Sequence, residues 1–241
     1  MKRQKNIQLT CLAAFLLALA AGCGGSDDAT SETDQEAPAP VSSQSGDNLL
    51  QPGRPPLESD ADARPRVEIQ TSAGTFTVTL RPDCAPGTVQ NFLDYVDKGF
   101  YNGTIFHQVI RDYAVLGGNY TIDTDGKSIL FKEPGGVGIN NEAATGLSNK
   151  RGTIAMAREP ENADSARCQF FINLVDNPSL DYQDPQETIP QWQTAGYCAF
   201  GTVDPGGMAI LDEISRQDVT SVKEMDLVPV ETITIESIQR L

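Results

Sequence analysis

Past residue 65 the chain repeatedly alternates apolar and polar positions. In VEIQTSAGTFTVTL, residues 67–80, Val67, Ile69 and Thr71 and then Phe76, Val78 and Leu80 take every second position around a glycine turn. A period of two predicts a half-buried β-hairpin. The period changes in APGTVQNFLDYVDKGFY, where Val89, Phe92, Leu93 and Val96 fall at helical spacing, with Pro86 suited to a first turn and Gly99 to a left-handed stop. One amphipathic helix follows. TIFHQVI, RGTIAMA, QFFINLV and GYCAFGTV read as strands, with a glycine-broken loop region after the first. A second helix is predicted at GMAILDEISRQ, with Ile210, Leu211 and Ile214 on one face, and a closing strand around VETITIESI. Many short strands with two helices predict a mainly β protein whose sheet closes into a barrel, because closure removes exposed edges.

The N-terminal segment follows another logic. MKRQKNIQLTCLAAFLLALAAGCGG opens with Lys2, Arg3 and Lys5 and continues as an apolar run too short to span a bilayer. Residues 1–22 are therefore expected to be an export signal. Leu19-Ala20-Ala21-Gly22-Cys23 resembles a bacterial lipobox, which implies lipidation of Cys23 and a lipid anchor in the cell envelope. Gly24, in place of an aspartate, points to the outer membrane, facing the periplasm. Residues 23–64, rich in Ser, Asp, Glu, Ala and Pro, bury too little to offset their ordering entropy and are expected to be a disordered acidic linker. The folded domain is expected at 65–241.

Charge and cysteine usage exclude several classes of function. With 18 basic against 33 acidic residues and a net charge of −15, the chain repels phosphate backbones, so nucleic acid is not an expected partner. Cys84, Cys168 and Cys198 remain outside the N-terminal segment, with no CxxC pair and a single histidine, His107, so no metal site is expected. Ser165, Cys168 and Asp164 share a loop, but no GxSxG elbow accompanies them, and His107 reads as a packed strand residue. The glycines of GGNY and EPGGVG lack the ending of a phosphate loop.

Three separated segments, FHQVI…GG at 106–118, AMAR at 155–158 and QFFIN at 169–173, stand in the order and spacing of the cyclophilins. APGTVQNFLDYVDKGFYNGTIFH, NEAATGLSNKRGTIAMAR and GYCAFGTV extend the match over nearly all of 65–241. The domain thus resembles the cyclophilin class of peptidyl-prolyl cis-trans isomerases. The resemblance implies a closed eight-stranded antiparallel barrel capped by two α-helices, an apolar pocket for the proline ring of polypeptides, no cofactor, and a monomer.

Such an enzyme needs no nucleophile. The amide barrier of roughly 18–20 kcal/mol is lowered by an apolar seat for the proline ring and donors that favour the twisted bond. The resemblance gives Phe171 the pocket floor, and gives substrate contacts to Phe106, Tyr113, Met156, Ala157, Gln169 and Tyr197. It also puts Gln108 at the position of the family's catalytic arginine, Ala114 at that of a pocket methionine, and Leu116 at that of the glutamine supporting the arginine. A neutral donor is about half as strong as a charged one, so reduced activity on X-Pro bonds is expected. The alternative is a non-catalytic module that binds proline peptides or scaffolds the envelope. Arg111, Arg158 and Arg167 are candidates to supply the missing charge, and Trp192 is left without a role.

Overall fold

The computed structural model describes residues 64–241 apart from Lys127 and Glu224; the segments expected to be an export signal and an acidic linker, and Cys23, fall at residues 1–63, outside the described residues. Eight strands form the barrel: β1 (Arg66–Thr71), β2 (Gly74–Leu80), β3 (Thr104–Ile110), β4 (Ala114–Ile122), β6 (Thr153–Met156), β7 (Phe170–Asn173), β8 (Ala199–Val203) and β11 (Ile233–Arg240). Their order is β3-β11-β1-β2-β8-β6-β7-β4, and the β3–β4 pairing closes the circle. Every pairing in it is antiparallel. Closure leaves no edge on these eight strands; β5 (Ile129–Phe131) extends β4, and β9 (Val219–Val222) pairs with β10 (Met225–Pro229) as a separate hairpin.

Helix α1 (Pro86–Asp97) buries Thr88, Val89, Phe92, Leu93 and Val96. Its N-cap, Ala85, offers no side-chain bond, and the Glu142 carboxylate takes over by accepting from the backbone N–H groups of Gly87 (3.0 Å) and Thr88 (2.7 Å). A carboxylate at that end also meets the positive pole of the helix. At the other end Gly99 is left-handed (φ 63°), and the N–H groups of Gly99 and Phe100 donate to Val96 and Tyr95, as the sequence predicts. Helix α3 (Gly207–Ser215) buries Gly207, Leu211 and Ile214, while Ile210 is half-buried against Gly74. A one-turn helix α2 (Gln191–Thr194) and a 3-10 turn (Pro178–Leu180), neither predicted, line the loops near one barrel face.

Inside the barrel, Phe92, Tyr101, Phe106, Phe170 and Phe200 form an aromatic cluster with centroids 5.2–6.2 Å apart in tilted and edge-on pairs. Each buried ring contributes about 1.5–3 kcal/mol through transfer from water. The expected glycine-broken loop after β3 is instead strand β4. Gly117 and Gly118 do not turn the chain. A Cβ on Gly117 would lie 2.8 Å from the Phe106 ring, and one on Gly118 would lie 2.9 Å from the Cys168 carbonyl oxygen. Close approach across the sheet is what these glycines permit.

Candidate active site

The site is built on the outside of the barrel. Register places Gln108 opposite Leu116, Leu116 opposite Phe171, Phe171 opposite Ala155, and Ala155 opposite Ala199, one row across β3, β4, β7, β6 and β8. Leu116, Phe171, Ala155 and Ala199 pack with Ala114 and Leu180 into an apolar cluster apart from the barrel core. Tyr113, Tyr197, Ala157 and Ile110 are half-buried around it. Phe171 is the covered floor, and its ring meets that of Tyr197 edge-on at 5.8 Å. The Tyr113 hydroxyl is driven well above the usual tyrosine range, first by burial and then by its neighbour Tyr197, so the Tyr113 phenol stays neutral.

Two of the sequence assignments need correction. Phe106 points into the barrel, edge-on to Phe170, and Met156 also belongs to the inner core. For Met156 the cause is strand alternation, since Ala155 and Ala157 on either side face the outer cluster. For Phe106 it is a bulge. Phe106 pairs with Gly117 and Gln108 with Leu116, so two steps on β3 span one on β4, and Phe106 and Gln108 reach opposite faces. The extra residue is His107. Gln169 lies beside the site: its Nε2 is 2.9 Å from the His107 Nε2, and with Ala157, Asn119 and Arg167 it lines a side cavity of about 90 Å³.

The groups that could run other chemistry are quiet. Burial drops the His107 pKa to about 3, so the ring is neutral and cannot serve as a base that cycles near neutral pH. Burial pushes the Cys168 thiol up to about 12 and the Cys198 thiol up to about 11, so neither of these two is a thiolate that could attack a carbonyl. The Ser165 hydroxyl donates to the Asn162 carbonyl and accepts from the Glu159 N–H, closing a turn.

The three candidate arginines are engaged elsewhere. Arg111 donates to the carbonyls of Ser215 and Arg216 at the end of α3. Arg167 lies 3.9 Å from the Glu133 carboxylate. Arg158 is buried and donates to four carbonyls, of Gly196, Glu159, Pro160 and Trp192, at 2.9–3.1 Å, with its guanidinium 4.6 Å from the centre of the Tyr197 ring. It braces the loop behind Tyr197, a role that its place beside AMA did not reveal. Three buried asparagines, Asn149, Asn173 and Asn177, were also missed as part of the site; the only signal was an amide ending the apolar run QFFIN.

The outer apolar cluster thus carries two aromatic rings, Tyr113 and Tyr197, at its rim and an amide side chain, Gln108, on the adjoining strand. Residues 66–240 match the family described as cyclophilin type peptidyl-prolyl cis-trans isomerase/CLD, and the chain belongs to that family. It is 43% identical to the peptidyl-prolyl cis-trans isomerase A of Dickeya dadantii, over 71% of this chain and 82% of that one. It is 41% identical to the peptidyl-prolyl cis-trans isomerase B of Escherichia coli, over 71% and 97% respectively. A crystal structure of a cyclophilin type peptidyl-prolyl cis-trans isomerase from Cryptosporidium parvum superposes with a TM-score of 0.56 at 22% identity, covering 74% of this chain and 98% of that one. A second structure of it, in the presence of the dipeptide Ala-Pro, gives 0.55 at 23% identity, covering 72% and 97%.

Proposed function

We propose that this cyclophilin isomerises X-Pro bonds of exported proteins from a lipid-anchored position at the cell envelope, at a rate reduced by Gln108. The observation that carries the reading is the row from Gln108 through Leu116 to Phe171, which sets a neutral amide donor beside an apolar floor. Gln108 is the donor to the twisted amide, Phe171 seats the proline ring, and Tyr113, Tyr197 and Ala157 form its rim. Replacing a guanidinium by an amide removes about 1.4–2.7 kcal/mol from the twisted state, or one to two orders of magnitude in rate.

A protease-coupled assay on a tetrapeptide with a central Ala-Pro bond tests the reading. Measurable kcat/KM above the uncatalysed rate is the expected result. Binding of the peptide with no turnover would favour the proline-binding module, a reading supported by the apolar Leu116 beside Gln108. The anchor rests on LAAGC at 19–23 and is tested by fatty-acid labelling, which Cys23→Ser abolishes if Cys23 is the lipidated residue.

A further inference from the structure

The two aromatic walls of the proposed proline site are joined by buried side-chain amides on the face of the sheet that carries Phe171. Asn177 Nδ2 donates to the Tyr113 carbonyl at 3.1 Å and to Asn173 Oδ1 at 2.8 Å. Asn173 Nδ2 donates to Asn149 Oδ1 at 3.2 Å and to the Thr153 hydroxyl at 2.9 Å. Asn149 Nδ2 in turn donates to the Tyr197 carbonyl at 3.0 Å, the Asp181 carboxylate at 3.0 Å and the Leu180 carbonyl at 3.2 Å. The run is continuous from Tyr113 to Tyr197, and all three amides are at most 5% exposed.

We infer that Asn149, Asn173 and Asn177 are positioning residues that set the separation of Tyr113 and Tyr197 and so the fit of the proline ring. The inference rests on the outer face being the proline site. Asn173 ends β7 two residues beyond Phe171, on the same face, and pairs with Ala114, the neighbour of Tyr113. Floor and walls therefore share one support. Buried amides are costly unless they are matched, and here every amide nitrogen of the run has at least two acceptors, which favours one arrangement. An apolar core at this place would be as stable and would not fix where the two carbonyls lie. Thr153, through its bond to the Lys150 carbonyl, anchors the middle amide to the turn before β6.

The test uses the full chain with Asn177→Ala, which cuts the run at the Tyr113 end. The expected result is a 3- to 30-fold loss in affinity for the Ala-Pro tetrapeptide, together with a shift in the fluorescence of Trp192, the single tryptophan, held at the far end through Arg158 and Tyr197. In a coupled run, adding Asn149→Ala costs little more than the larger single change. A lowered melting temperature with unchanged affinity and Trp192 emission in the folded protein would overturn the inference, as would losses that simply add. Should these variants fail to fold, side-chain amide NMR of the unaltered chain decides. Saturating peptide must move the Asn149 and Asn177 signals together, and movement of one alone overturns coupling. Absence of peptide binding by the unaltered chain would instead remove the proline-site reading itself.

Discussion

Gln108 and Leu116 are cross-strand partners on β3 and β4, and Leu116 is the residue between Gln108 and the Phe171 floor. Side chains so paired lie within about 5.5 Å at Cβ. The polar donor thus adjoins an apolar neighbour that can neither orient it by a hydrogen bond nor compete with substrate for it.

Gln108→Arg is expected to raise kcat/KM on X-Pro tetrapeptides by up to about 10- to 100-fold, since a charge-assisted donor then faces the twisted amide. Leu116→Gln added to it should raise the rate further, because an arginine beside leucine has no partner to hold its fork in place. No gain in either variant would remove Gln108 from the catalytic position.

Phe171→Ala separates floor from fold. The ring is fully buried, so truncation is expected to cost about 3–5 kcal/mol in denaturant unfolding and to weaken peptide binding and kcat/KM together. Phe171→Leu keeps most of the volume and should recover stability while leaving turnover impaired. Full turnover in the leucine variant would show that the aromatic surface is dispensable.

The barrel was legible where periodicity was simple. Alternation of Val67, Ile69, Phe76 and Val78 marked β1 and β2, and Val89, Phe92, Leu93 and Val96 marked α1, because each faces one core from one side. The bulge at His107 was not legible, since a two-residue period carries no sign of an extra residue, and the substrate contact that the resemblance gave Phe106 did not reveal that its ring enters the barrel core. Gly117 and Gly118 read as a break because close backbone approach is a tertiary fact. The β9–β10 hairpin was missed because its positions are mostly exposed or half-buried and show no clean alternation. Of the site, Gln108, Phe171, Tyr113 and Tyr197 were placed through family resemblance. The Arg158 clamp and the asparagine run join segments far apart in sequence, which no local pattern records.

Arg158→Lys should lower the melting temperature by about 5–15 °C, because an ammonium cannot reach four carbonyls that a planar guanidinium spans, and the lost buried bonds amount to about 2–4 kcal/mol. Peptide affinity is expected to fall in the same variant, through release of Tyr197 and the Trp192 turn. Thermal unfolding and fluorescence titration check the two effects; a wild-type affinity would confine Arg158 to stability alone.

The pH dependence of His107 follows from its burial. Its folded pKa lies near 3, below the 6.5 of an exposed ring, so the unfolded chain binds more protons at this residue between those values. Stability from keeping the ring neutral is therefore complete above pH 6.5 and is lost as pH falls towards 3. His107→Gln cannot titrate, and the amide keeps a hydrogen-bonding group beside Gln169 and the Tyr120 ring. The unfolding free energy of the wild type relative to His107→Gln should thus fall steadily from pH 6.5 downwards and be level above it. Acid titration of the other groups is common to both proteins and cancels. Because the neutral ring transfers no proton, kcat/KM on X-Pro peptides is expected to be level from pH 6 to 8 in the wild type. A rate profile with an ionisation near 6.5 that disappears in His107→Gln would make the histidine part of the chemistry and contradict a catalyst built only from Gln108 and an apolar seat.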